Sequence, residues 1–249
     1  MKRAKRSQIF AHRGANKEAA ENTRTAFDKA LEYPIDGIET DVQLSRDEVP
    51  VLWHDRFLGK LGMPDKHIDD FDLAELQAMN FAGHCSSASK EGIMTLQSFL
   101  NAYRKRFRLL IEIKNRDWEI ASRHEIKVSL TLEMAGKLAD DSIMVSSFNL
   151  DSLAYAHRCA PDFPLVYNLE TWQTIADATE VLDAQPFLHG LCLPIASLDA
   201  ALIKLLRDRD KTIAVYTCNS DDEISKALDL GVDILISDVP QKALRMRDK

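Results

Sequence analysis

Three features of the chain predict an α/β fold closed into a TIM (β/α)8 barrel. Short apolar, β-rich runs alternate with longer helical patterns, and eight such units can be counted once one short extra strand is set aside. The length of 249 residues suits a single barrel with its own core. A doubly wound open sheet would carry a Gly-rich G-x-G-x-x-G turn, which is missing here. No linker, repeat or low-complexity tract divides residues 1–249, so one domain is expected.

The elements follow in order. Residues 9–11 open a strand that Arg13-Gly14 stops, and Asn22-Thr23 supplies N-cap chemistry for a helix. That helix carries Ala26, Phe27, Ala30 and Leu31 on one face and ends before Pro34. Gly37–Leu44 is the second strand, with Val42 and Leu44 alternating with polar neighbours. Residues 49–53 form a short added strand, because no helix separates them from it. From about 56 to 90 the regular pattern lapses into an insertion after the His54 strand, with one helical stretch near 73–79.

Alternation then resumes, with a helix over 95–103 and a strand over Arg108–Ile113. A long amphipathic helix lies within 118–138, and a strand follows over 142–146. Leu150, Leu153, Ala154 and His157 mark a helix stopped by Pro161. Residues 165–167, 188–193, Thr212–Tyr216 and 234–236 read as the remaining strands. Helices lie between them over 171–182, along the Leu198, Leu202, Leu205 and Leu206 stripe, and from the capping box Ser220-Asp221-Asp222-Glu223 to Gly231. A last helix covers 241–247.

Composition narrows the classes. Hydrophobic residues make up 45% and charged ones 29%, the balance of an ordinary globular protein. A net charge of −7 without a basic stripe argues against a nucleic-acid partner. No apolar run approaches the roughly 18 residues that span a bilayer, so no transmembrane segment is expected. The basic start, Met1-Lys2-Arg3-Ala4-Lys5-Arg6, runs into Gln8-Ile9-Phe10-Ala11 without the apolar region of a signal peptide, which makes the chain read as cytoplasmic. Cys85, Cys159, Cys192 and Cys218 are widely spaced with no CxxC pair, so they read as reduced residues and not as zinc or redox ligands.

The chemistry gathers where barrel strands end. On Gly37–Leu44, Glu39 and Asp41 are two apart and point the same way. Carboxylates side by side repel unless a proton or cation lies between them, and oxygen ligands suit Mg²⁺ or Ca²⁺. Alone, the pair also suits a solvent-facing edge. Glu112 and Lys114 form a second i, i+2 pair, which as an internal ion pair could equally satisfy itself. His12-Arg13-Gly14 closes the first strand, where Gly14 lets the chain turn so that His12 and Arg13 both reach the site. His54 closes the added strand. Two histidines can divide proton removal and donation, Arg13 can grip phosphate oxygens and Lys114 can add a point charge. Together they describe metal-assisted cleavage of a phosphodiester.

The series His12-Arg13-Gly14, Glu21-Asn22-Thr23, Ile38-Glu39-Thr40-Asp41-Val42, residues 51–55 and residues 111–114 resembles the glycerophosphodiester phosphodiesterases. Ser146-Ser147-Phe148-Asn149 and residues 233–240 look like that family's later strands. The resemblance implies a TIM barrel that cleaves glycerophosphodiesters to sn-glycerol 3-phosphate and an alcohol, in glycerol and lipid metabolism. It also implies one divalent cation, Mg²⁺ or Ca²⁺, on Glu39, Asp41 and Glu112, with His12 and His54 as the acid–base pair. Arg13 and Lys114 would bind phosphate, and the insertion would sit over the site as a cap.

The chain departs from the family's pattern in places. Phe57-Leu58-Gly59-Lys60-Leu61-Gly62 replaces an Arg-Thr-Thr run, Ala20 stands where Pro is usual, and Tyr216 stands where a Trp is frequent. These changes leave the alcohol headgroup open, with Tyr216 either lining a glycerol pocket or serving as a core aromatic. Two other activities fit the same residues. A lysophospholipase D-type enzyme would use Phe57, Leu58, Met63, Phe71 and Phe81 as an acyl channel, whereas the preferred reading of these residues is the cap's own small core. A non-catalytic phosphate-ester binding protein would keep the pocket without turnover.

Overall fold

The computed structural model describes residues 6–85, 89–115, 119–136 and 142–249. Eight parallel strands close into a barrel: β1 (Gln8–His12), β2 (Gly37–Leu44), β4 (Arg108–Ile113), β5 (Ile143–Ser147), β6 (Leu165–Asn168), β7 (Gly190–Pro194), β8 (Thr212–Tyr216) and β9 (Ile234–Ser237). The ring runs β1-β9-β8-β7-β6-β5-β4-β2 and closes where β1 pairs with β2. The short β3 (Pro50–Leu52) pairs antiparallel with residues 42–44 at the carboxyl end of β2, as an added strand. Helices α1 (Arg24–Ala30), α3 (Leu96–Tyr103), α4 (Ala121–Ala135), α5 (Leu150–Cys159), α6 (Ile175–Ala184), α7 (Ala200–Asp208) and α8 (Asp221–Asp229) connect the strands; α2 (Leu73–Ala78) lies in the insertion and α9 (Pro240–Arg247) follows the last strand. The expected helix over 118–138 is α4, and both of its expected end residues, Trp118 and Leu138, lie outside the described residues.

Strand alternation divides the side chains into two cores. Phe10, Leu110, Met144, Val166, Cys192, Ala214, Ile234 and Ile236 point inward and fill the barrel. Their neighbours Ile9, Ile38, Ile111, Val145, Leu191, Ile213 and Leu235 point outward and pack under the helices. Gly37 and Gly190 are places where strands approach too closely for a side chain. A Cβ on Gly37 would lie 2.4 Å from the Phe10 ring, and one on Gly190 would lie 2.2 Å from the Thr212 carbonyl oxygen.

Caps explain where several helices start. Thr23, Thr95, Asn149, Asp199 and Ser220 each accept a backbone N–H in the first turn. Helix α6 starts later than the expected residue 171, because the Thr174–Asp177 capping box fixes its first turn.

The insertion has a small core of its own. Leu58, Ile68, Leu76, Phe81 and Ile93 are buried against Val51 and Trp53, whose ring meets Phe81 edge-on at 5.3 Å. Leu58 and Phe81 are thus spent on packing, Met63 and Phe71 pack partly buried against them, and Phe57 is 38% exposed over His67. No helix among the described residues is long and apolar enough to cross a membrane.

Candidate active site

Strand register assembles the site. In the β1–β2 pairing His12 stands opposite Glu39, and in the β2–β4 pairing Asp41 stands opposite Glu112. Adjacent strands therefore bring inward-facing side chains from three staves to one level at the carboxyl mouth, where sites of this fold lie. Carboxylate oxygens of Glu39, Asp41 and Glu112 lie within 4.8 Å of one another. The cleft above them has a volume of about 570 Å³ and is open to solvent; His12, Arg13, His54, Lys114, Phe148 and Tyr216 are among its walls.

The turn after β1 is strained. Arg13 (φ 56°) and Gly14 (φ 83°) both take the left-handed conformation, and a Cβ on Gly14 would lie 2.7 Å from the Ala26 backbone. That turn lets two consecutive residues reach the mouth. Arg13 pairs through Nε with Asp41 Oδ2 at 3.0 Å and donates from Nη1 to Glu21 Oε2 at 3.1 Å. Lys114 Nζ donates to Glu112 Oε1 at 2.6 Å and lies 3.5 Å from Asp41 Oδ1.

Asp41 is fully buried. Burial pushes its carboxyl up, but Arg13 and Lys114 outweigh burial and hold it far below the ordinary carboxylate range. Glu39 takes the opposite course: burial, and then the Asp41 charge, raise it well above that range. Three acids thus face two fixed cations. Glu39 Oε2 and Asp41 Oδ1 are buried without a hydrogen-bond partner, a costly arrangement that a hard cation on oxygen ligands would satisfy. The residues fit such an ion.

The histidines flank this cage. His12 Nε2 lies 3.8 Å from Glu39 Oε2, and its Nδ1 lies 2.6 Å from Asp238 Oδ1. Burial lowers the His12 pKa despite the Asp238 carboxylate, which favours the neutral ring. His54 pairs through Nδ1 with Asp55 Oδ1 at 2.8 Å. Lys60, from the insertion, then links Asp55 (2.9 Å) to Glu21 (2.8 Å) and so ties this segment to the β1–α1 loop.

Seven of the eight residues named from the sequence line one cleft, and the eighth, Asp41, is fully buried with a carboxylate oxygen within 4.8 Å of those of Glu39 and Glu112. Tyr216 lines the cleft with its hydroxyl donated to the Leu169 carbonyl at 2.6 Å and its ring perpendicular to Phe148 at 6.0 Å. Sequence reasoning assigned no role in the site to Asp238, Asn22 or Lys60. Asn22 donates to Asp41 Oδ2 at 3.0 Å and accepts from Thr40 at 2.8 Å. For Asp238 a signal existed, since Ile234, Ile236 and Asp238 continue one inward face at period two.

Acids with orphaned oxygens beside fixed cations, at the carboxyl mouth of a parallel barrel, suit the class of phosphate-ester hydrolases. The comparisons make it particular. The profile described as the Glycerophosphoryl diester phosphodiesterase family matches residues 12–242, and the chain belongs to that family of phosphodiester hydrolases. A "Glycerophosphodiester phosphodiesterase" of Bacillus altitudinis is 30% identical over 98% of this chain and 99% of its own. The Bacillus subtilis protein YqiK is 31% identical over 95% of this chain and 97% of its own. Among solved structures, an Oleispira antarctica phosphodiesterase in complex with the product sn-glycerol-3-phosphate superposes with TM-score 0.86. It is 26% identical and 97% of each chain is covered.

Proposed function

We propose that this chain hydrolyses glycerophosphodiesters to sn-glycerol 3-phosphate and an alcohol with the help of one divalent cation, Mg²⁺ or Ca²⁺. Glu39, Asp41 and Glu112 would hold the ion, and the observation that carries this is the pair of buried acceptors, Glu39 Oε2 and Asp41 Oδ1, that accept no hydrogen bond. A bound divalent cation supplies Lewis-acid polarisation of the phosphoryl oxygens and neutralises developing charge. Arg13 and Lys114 orient the phosphate; both are already fixed by carboxylates, so little reorganisation accompanies binding. One imidazole of the His12 and His54 pair takes the proton of the attacking oxygen as its bond to phosphorus forms. The other gives a proton to the alcohol oxygen as the phosphorus–oxygen bond to the headgroup breaks.

Residues 1–249 then act as one barrel domain, with the insertion near 56–90 as its cap. The acyl channel that a lysophospholipid substrate needs finds little support, because Leu58 and Phe81 fill the cap's own core.

The test is a panel of glycerophosphodiesters with glycerophosphocholine, glycerophosphoethanolamine and lysophosphatidylcholine as members, assayed for glycerol 3-phosphate and for released headgroup. Release of glycerol 3-phosphate that stops on chelation and returns with Mg²⁺ or Ca²⁺ is expected. Turnover undiminished after thorough chelation would refute the cation's part. Turnover of lysophosphatidylcholine alone would refute the substrate.

A further inference from the structure

We propose that Asp238 is the positioning residue for His12, holding the ring through Nδ1 so that Nε2 is the nitrogen presented to the phosphodiester. The inference rests on the reaction proposed above and adds which ring atom acts and what fixes it. His12 ends β1 and Asp238 directly follows β9, so the contact spans 226 residues of sequence and joins the two strands where they leave the barrel.

The carboxylate is itself pinned from several sides. Asn16 Nδ2 donates to Oδ1 at 2.6 Å, Asn219 Nδ2 donates to Oδ2 at 2.9 Å, and Lys17 Nζ lies 3.2 Å from Oδ2. The Asp238 backbone N–H donates to Asn219 Oδ1 at 2.9 Å, and the Asn219 N–H donates to Glu223 Oε2 at 2.9 Å. Asn16 Nδ2 also donates to the His12 carbonyl at 2.9 Å.

An ionised carboxylate can only accept, so the 2.6 Å contact requires Nδ1 to carry the proton. In the neutral ring Nε2 is then bare, and it faces Glu39 across 3.8 Å inside the cleft. The seam between β1 and β9 needs no such bond, being already zipped from Gln8↔Ile234 to Ala11↔Ser237. The His54–Asp55 contact uses the same ring nitrogen and the same kind of acceptor at 2.8 Å, so both imidazoles turn the same atom away from their carboxylates. A wrong tautomer at such a position disables proton transfer while leaving binding in place.

Long-range ¹⁵N–¹H correlation spectra of the full chain, with the His12 signal assigned from His12→Gln, read the tautomer without activity. A protonated Nδ1 in the wild type is expected, lost or exchanged for a protonated Nε2 in Asp238→Asn and Asp238→Ala. In the assay the two variants should lose kcat by about 10²- to 10⁴-fold. KM and the affinity for Mn²⁺ should stay within about 3-fold of wild type. A wild-type His12 protonated only on Nε2 would overturn the inference even if neither variant folds. Variants that turn over near the normal rate, or whose loss lies in KM or Mn²⁺ affinity, would do so too. If the wild type releases no glycerol 3-phosphate, the proposed reaction fails while the tautomer is still read.

Discussion

Glu39→Gln separates a cation cage from a buried ion network that satisfies itself. The amide keeps the shape and one acceptor but removes a charge from acids that lie within 4.8 Å of one another. Two unit charges at that separation repel by about 3.5 kcal/mol at an effective dielectric near 20. Arg13 and Lys114 offset part of this, and Glu39 takes up the remainder by keeping its proton, the direction in which burial and Asp41 push it.

A divalent ion at about 100 times its dissociation constant stabilises a protein by about 2.7 kcal/mol. In a chain of this length each kcal/mol moves the melting midpoint by about 2–4 °C, so about 5–11 °C is expected. Calorimetric melts of chelated protein, with and without excess Mg²⁺ or Ca²⁺, should show that shift in the wild type. In Glu39→Gln it should shrink below about 2 °C, with the cation-free midpoint unchanged or raised because a buried acid no longer has to take up a proton. A variant that keeps the full cation-dependent shift would refute the reasoning. So would a cation-free variant that melts far below wild type, since Glu39 would then be needed to hold Arg13 and Lys114.

Other perturbations follow from single contacts. Asp55 is held down to about 2 by His54 and Lys60 in spite of its burial, so its stabilisation is complete above the ordinary value of 3.8 and fades as pH falls towards 2. With the side chain 31% exposed this amounts to about 1 kcal/mol, and Asp55→Asn should lose it at neutral pH but match wild type near pH 2 in urea titrations; a constant difference across the range would contradict the assignment. Gly190→Ala puts a methyl 2.2 Å from the Thr212 carbonyl and should lower stability by about 1–3 kcal/mol, measured as a lower urea midpoint; an unchanged midpoint would show that β7 and β8 separate freely. Tyr216→Phe loses the bond to Leu169 and should cost about 1 kcal/mol with KM changed less than about 3-fold. A tenfold rise in KM would mean that the hydroxyl turns to the substrate.

Much of the barrel was legible because a parallel strand buried on both faces leaves a β-rich apolar run between helical patterns. Gly37–Leu44, Arg108–Ile113 and Thr212–Tyr216 keep their expected bounds. Strand β7 starts at Gly190, two residues later than expected, where its register with both neighbours begins, Val166↔Gly190 and Gly190↔Thr212. The grouping of Glu39, Asp41 and Glu112 was legible as well, since i, i+2 spacing on neighbouring strands fixes which side chains share a face. What spacing cannot give is the partner of a partner. Asp238 reaches His12 only because the ring closes, and Lys60 reaches Asp55 and Glu21 only because the insertion folds back over Trp53. Closure is a long-range event that no local pattern encodes. The insertion's apolar residues form the small core preferred from the sequence, with Leu58 and Phe81 buried in it and Met63 and Phe71 packed against it.

The cage can be tested most directly by locating the ion. Two clusters among the described residues could hold one: Glu39, Asp41 and Glu112, and separately Glu21, His54 and Asp55. Anomalous diffraction from crystals soaked with Ca²⁺ should give a single peak about 2.3–2.6 Å from oxygens of Glu39, Asp41 and Glu112. A peak at Glu21 and Asp55 with none between the three buried acids would contradict the account.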